Sequence, residues 1–289
     1  MKTALLMAPA CQLNTLENLF IEMTAKNCNQ RCKHCYIDFP LTKNVKDFIS
    51  SDIIQEALSD IDITNLKCIY LTGAEPMTHP DFNSILRLCL KYSNVCICTN
   101  GSFINEKKSR FLRRVQDESV NEIIFKLSLA HYDENMNDSV RCRGNYRQVL
   151  FAIKYLVKYG FNPILEVTNY YNESEDVIRS NFISILHKSG FDAQDRNVVI
   201  NRCYKVNDAN YVQEEYFADE IYPTDCKFGR IITARGVYAC PFLANDHRGR
   251  CGSTLKDYST RVMLETEYCN TCLSNKRQVF SIDFSEFNN

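Results

Sequence analysis

Between Leu19 and Arg202 short β-rich runs alternate with amphipathic helical stretches, and this alternation constrains the chain more than any other feature. Strands are expected at Leu19–Thr24, Lys67–Thr72, Asn94–Thr99, Glu122–Leu129, Pro163–Thr168 and Arg196–Arg202. Between them apolar residues recur at spacings of three and four, as in Phe82, Ile85, Leu86 and Cys89, or Val149, Ile153, Leu156 and Val157. That spacing is the stripe of a helix packed on a sheet. Strand, helix, strand in steady succession implies parallel pairing through right-handed crossovers. Such units fit an α/β fold, a partial (β/α)6 TIM-like barrel, splayed relative to the closed (β/α)8 form. In that architecture reactive groups collect on loops at the carboxyl ends of the strands.

The loop after the first expected strand reads Cys28-Asn29-Gln30-Arg31-Cys32-Lys33-His34-Cys35-Tyr36. Its C-x-x-x-C-x-x-C spacing can wrap three thiolates around one iron–sulfur cube, which would leave the fourth iron open, the arrangement of a metal site that does chemistry. A single zinc ion is the alternative, with His34 as the fourth ligand, although His34 sits between two thiolates in a short loop. The chain has 15 cysteines, an odd count in 289 residues with no signal peptide, so thiolate ligands in a reducing compartment explain them better than disulfides. A formal net charge of −1 gives no reason to expect bulk nucleic-acid or anionic-membrane binding. Met1 to Ala10 has no run long enough to span a bilayer, which points to a cytoplasmic chain.

With Asn29 after the first cysteine and Tyr36 after the third, the loop resembles the signature of the radical S-adenosylmethionine (radical SAM) enzymes. Leu71-Thr72-Gly73-Ala74-Glu75-Pro76 resembles their second diagnostic segment, in which a glycine turn lets backbone carbonyls approach the methionine ammonium and a carboxylate adds a charged partner. Ala74 stands where the family usually has a second glycine. By itself the segment also reads as a strand-to-helix turn with proline at the helix entrance. The resemblance further implies SAM contacts from Tyr36, Gly73, Ala74, Glu75, Asn100 of Thr99-Asn100-Gly101, Ser128, Arg141 and Asn169. Ser128 matches a ribose-binding serine, but Ala130 replaces the aspartate often found two residues later. Arg141 resembles an arginine that grips the SAM carboxylate, a task suited to a bidentate fork.

Composition changes near Tyr204–Tyr222, which divides the chain into an N-terminal extension at 1–17, a barrel at 18–215 and a small domain at 216–289. The last contains Cys226, Cys240, Cys251, Cys269 and Cys272, with a hairpin expected between Arg230–Thr233 and Tyr238–Ala239. A zinc ribbon is one reading of these cysteines. The unit also resembles the twitch domain, a shortened form of the SPASM domain. That resemblance implies one auxiliary [4Fe-4S] cluster on Cys226, Cys240, Cys269 and Cys272, and hence two [4Fe-4S] clusters in all. Cys251 reads as a small buried hydrophobe, with a hydrogen-atom donor to a substrate radical as its functional alternative, and Cys142 beside Arg141 is the rival donor. Cys68, Cys89, Cys96 and Cys98 read as core.

The resemblance implies reductive SAM cleavage to a 5′-deoxyadenosyl radical and hydrogen abstraction from a substrate C–H bond. An electron donor such as flavodoxin or ferredoxin goes with it. An auxiliary cluster favours net oxidation of a small molecule, in the manner of a dehydrogenase. About 18 residues precede the first expected strand, too few for the leader-binding domain of many peptide-modifying relatives. The alternatives are a maturase acting on a ribosomally made peptide and, more distantly, an iron–sulfur redox sensor.

Overall fold

The computed structural model describes residues 10–37, 46–203, 224–274, 278–282 and 284. The expected boundary at Tyr204–Tyr222, with the division between 215 and 216, lies outside the described residues. In chain order come β1 (Ala10–Gln12), β2 (Asn18–Thr24), α1 (Ser51–Asp60), β3 (Cys68–Gly73), α2 (Phe82–Cys89), β4 (Asn94–Thr99), α3 (Glu106–Asp117) and β5 (Ile123–Leu129). They are followed by α4 (Glu134–Val140), α5 (Asn145–Lys158), β6 (Ile164–Asn169), α6 (Glu175–Lys188) and β7 (Val198–Arg202). The remainder is α7 (Asp225–Phe228), β8 (Gly229–Thr233), β9 (Gly236–Tyr238), β10 (Arg250–Thr254), β11 (Asp257–Tyr258), β12 (Arg261–Met263) and α8 (Glu267–Ser274).

Strands β2 to β7 are parallel neighbours in sequence order, the partial barrel expected from the alternation. Period two sorts their side chains. Ile69, Leu71, Val95 and Ile97 face outward and pack with Ile85, Leu86, Val149 and Ile153 of the helices. Phe20, Cys68, Tyr70, Cys96 and Ile164 face inward and form a separate inner cluster with Ile282. Helix starts are set by side-chain caps: Ser50 accepts from the Ile53 N–H, Asn105 from Lys108 and Asp133 from Met136.

The C-terminal portion does not stand apart from the barrel. The expected hairpin forms as β8 and β9, with Thr233 opposite Gly236, but β8 also pairs in parallel with β2 and extends the barrel sheet at its open edge. Strand β1, within the extension expected at 1–17, pairs with β12. The tail at 278–282 returns beneath the barrel mouth. There the buried Asp225 carboxylate accepts the backbone N–H groups of Val279, Phe280 and Ser281 and the Ser281 hydroxyl, while Ile282 N–H donates to the Tyr70 hydroxyl.

Replacing Asp225 with alanine strands those buried N–H groups. Denaturant unfolding should show a loss of about 3 kcal/mol or more, and proteolysis should clip the C-terminal tail faster.

Candidate active site and cysteine cavities

The cysteine loop leaves β2 at Thr24, and its root is tied to the turn after β3. Ala74 N–H donates to Thr24 O at 2.8 Å, Glu75 N–H to Asn27 O at 3.0 Å, and Thr78 Oγ1 also reaches Asn27 O. This closeness requires glycine at position 73. Its φ is +108°, and a Cβ there would stand 2.4 Å from Thr24 O. On the far side Lys33 N–H donates to Val140 O at the end of α4, which sets the loop against Arg141.

Above the inner cluster these loops enclose a cavity of about 150 Å³. Cys28, Cys32 and Cys35 all line it, together with Tyr36, Gly73, Ala74, Asn100, Ser128 and Arg141. The structure thus brings together the cysteine triad and six of the residues expected to meet SAM. Asn100 holds the loop directly: its Nδ2 donates to Asn29 Oδ1 at 2.9 Å and reaches Cys28 Sγ at 3.7 Å. Arg141 is buried to 8% exposure, yet its Nε has no hydrogen-bond partner. A buried, unpartnered guanidinium nitrogen on a cavity wall calls for an anion, and a carboxylate fits. The three-thiol donor set fits a cluster with one open iron. Burial raises the Cys28 thiol above its ordinary value and pushes Cys35 up to about 11, so without a metal these groups hold their protons.

Two expected residues are placed differently. Glu75 does not line the cavity: Oε1 accepts from Thr99 Oγ1 at 2.7 Å and from Met77 N–H at 3.2 Å, and Oε2 from Asn100 N–H at 2.9 Å. These bonds tie β3's turn to β4's end. Burial, opposed by those hydrogen bonds, pushes its carboxyl up to about 6. Asn169 also lies away from the cavity lining, its amide closed on the backbone of Glu173 by Nδ2 and Oδ1. Cys98, expected in the core, is half-buried and lines the cavity, because period two from Cys96 carries it up the inner face. Cys142 is half-buried near Cys32 but outside the lining.

A second cavity of about 30 Å³ lies beyond an aromatic wall, and Cys226, Cys240, Cys269 and Cys272 all line it. Cys269 and Cys272 share one face of α8 at i, i+3 spacing. Thr224 and Thr266 hydroxyls lie 3.0 and 3.2 Å from the Cys226 and Cys269 sulfurs. Burial raises the Cys269, Cys272 and Cys240 thiols, so each of them keeps its proton until a metal displaces it. Among the described residues no three His, Cys, Asp or Glu groups converge as the ligands of a single metal ion, here or at the first cavity. Cys251 is half-buried, its thiol 3.6 Å from Gly249 O, and lies outside this lining. Cys11 on β1 packs in the same cluster, against Cys226, and that contact draws its thiol down to about 7. Nothing local in the sequence marks Cys11, because strand pairing brings it there across the length of the chain. Phe280 lines both cavities and packs with Tyr36 and Phe242 at centroid distances of 6.0 and 4.4 Å.

The model of the radical SAM superfamily matches residues 24–178, which carry the cysteine loop and the strands beneath the cavity. The chain belongs to the radical SAM superfamily. Membership implies one [4Fe-4S] cluster and SAM. Among solved radical SAM structures the fold is similar to Streptococcus suis SuiB bound to precursor peptide SuiA, with a TM-score of 0.64 at 15% identity over 85% of this chain. It is also similar to native anSMEcpe with bound AdoMet, with a TM-score of 0.63 at 14% identity over 90% of this chain and 83% of that one. The chain spans 64% of the length of the SuiB chain. No curated protein matches in sequence. Among the described residues no helix is long and apolar enough to cross a membrane.

Gly73→Ala must break the contact with Thr24 O and is expected to cost about 2–4 kcal/mol, read by denaturant unfolding, and to lower SAM affinity. A second expectation concerns pH. Because the Glu75 carboxyl is raised in the fold, it contributes stability that is complete below the ordinary carboxylate range and is lost as pH rises through about 6. In the metal-free protein, unfolding free energy should fall over that window, and Glu75→Gln should flatten the slope.

Proposed function

We propose that Cys28, Cys32 and Cys35 hold the superfamily's [4Fe-4S] cluster and that SAM lies in the adjoining cavity, for a net oxidation of a small polar molecule. The observation that carries this is the shared lining: the three thiols, Gly73, Ala74, Ser128 and Arg141, whose buried Nε has no hydrogen-bond partner, all border one cavity. Bound together, the cluster and SAM supply a 5′-deoxyadenosyl radical that removes a hydrogen atom from a substrate C–H bond. The chain's own groups bind and shield. Arg141 receives the SAM carboxylate, the Gly73–Ala74 turn meets its ammonium, and Ser128 serves the ribose. Glu75 holds the loops that carry these contacts. Tyr36, Phe242 and Phe280 form an apolar wall on the side of the second cavity.

Cys226, Cys240, Cys269 and Cys272 would hold an auxiliary [4Fe-4S] cluster in a twitch-like unit, which suits an oxidation because the substrate radical must lose an electron. Cys142 and Cys251, both outside the cavity linings, are poorly placed to donate a hydrogen atom. The second reading is a maturase for a ribosomally made peptide. It is favoured by the fold shared with SuiB, bound there to precursor peptide SuiA. The modest size of the cavity, about 150 Å³ and lined in part by Val279 and Phe280 of the returning tail, favours the small molecule.

Anaerobically reconstituted protein should carry about eight irons. The Cys28, Cys32, Cys35 triple alanine variant should lose about half of the iron and all 5′-deoxyadenosine formation, and persistent formation would refute the ligand assignment. Stoichiometric zinc in protein purified without oxygen would favour a ribbon in the C-terminal unit. Arg141→Ala should weaken SAM binding by about tenfold or more at unchanged iron content. In the Cys269→Ala, Cys272→Ala variant, product formation should fall further than abortive SAM cleavage, both measured in one reaction mixture.

A further inference from the structure

Arg230 of β8 is wholly buried, at 0% exposure. Its guanidinium donates to three carbonyls, Nη1 to Cys226 O and Gly229 O at 2.8 Å each and Nη2 to Thr260 O at 2.7 Å, while the buried Nε has no hydrogen-bond partner. All three acceptors are neutral. Among the described residues no carboxylate forms an ion pair with Arg230. Asp225 gives its oxygens to the N–H groups of Val279, Phe280 and Ser281, Glu22 pairs with Arg235, and Asp246 pairs with Arg248. An arginine keeps its charge inside a protein, and a buried cation without a counter-charge is strongly disfavoured.

The position of this cation says where its partner lies. The Cys226 carbonyl that it grips belongs to a residue lining the second cavity, together with Cys240, Cys269 and Cys272. Cys11 packs against Cys226 and stands within reach of the Arg230 charge. It does not supply the anion once Cys226 holds metal, because two thiolates in contact repel. Asp225, whose charge reaches Cys240 and Cys272, makes the surroundings of the thiols more negative. Arg248 and Glu265, which reach Cys269, are exposed, and water screens them. Four thiolates outweigh the positive core of an iron–sulfur cube, and one-electron reduction makes the assembly more negative still.

We infer that Arg230 is the buried counter-charge of the auxiliary cluster, that it raises the cluster's reduction potential by favouring the reduced state, and that it thereby fits the cluster to accept an electron. The inference rests on the proposed function in placing a cluster on the four thiols. Arg230 touches neither cluster nor substrate and acts through its field, from behind the peptide of Cys226.

The test is a redox titration of anaerobically reconstituted holoprotein followed by electron paramagnetic resonance, in which the auxiliary signal is the one that added SAM does not perturb. Arg230→Gln keeps hydrogen-bonding capacity and removes the charge. Its auxiliary midpoint potential should fall by about 59 mV or more, a tenfold change in a one-electron equilibrium, while the SAM-sensitive signal stays in place. Arg230→Lys, which keeps the charge, should fall by less than half as much. An unmoved potential in Arg230→Gln at full iron content, or an equal fall in Arg230→Lys, would overturn the assignment, because an arginine that only ties carbonyls together does not act through charge. Should neither variant hold its iron, the wild type decides: without SAM its four-thiolate cluster must titrate above the three-thiolate one despite the additional thiolate, and an equal or lower value overturns the inference. Iron content separates the two levels. About four irons per wild-type chain sink the auxiliary cluster itself, whereas about eight irons with an unmoved potential sink only the role of Arg230.

Discussion

The approach of β3's turn to β2's end, where Gly73 passes under the Thr24 carbonyl, is the contact on which the rest of the site hangs. A side chain at 73 would push the two strand ends apart, since its Cβ would lie 2.4 Å from that oxygen. With glycine there, Ala74 and Glu75 hydrogen-bond the root of the cysteine loop, and Glu75 carries the connection on to Thr99 and Asn100. Asn100 then returns to Asn29 and Cys28. Loops from β2, β3 and β4 thus close on one another through a circuit of hydrogen bonds that reaches Cys28. Such a circuit fixes the root of the cysteine loop, which is the preorganisation a reactive site needs.

The second physical theme is the joining of the C-terminal segment to the barrel. β8 adds to β2, and Arg235 beyond it forms an ion pair with the buried Glu22 of β2. Arg230, wholly buried, donates to the Cys226 and Thr260 carbonyls and so links α7 to the loop before β12. Asp225 anchors the tail that presents Phe280 to both cavities. Between the two sets of cysteines stand the packed rings of Tyr36, Phe242 and Phe280.

Much of this was legible along the chain. Apolar spacing located β2 to β7 to within a residue or two, because each strand buries both faces and each helix a single stripe. The cysteine triad, the Gly73 turn and Arg141 announce themselves through local spacing and turn chemistry, and the structure gathers them on one cavity.

What the sequence by itself determined is the set of features encoded in short windows: the strand and helix periods, the thiol spacing, and the glycine that a tight turn demands. The tertiary structure alone decided which distant groups meet. Glu75 meets Thr99 and Asn100 only once β3 and β4 are paired. Cys11 joins Cys226, and Phe280 reaches Lys126, through pairings separated by most of the chain. Local periodicity records the environment a residue needs, buried or exposed, but carries no address for the partner that supplies it, and only the closing of the sheet and the return of the tail provide one.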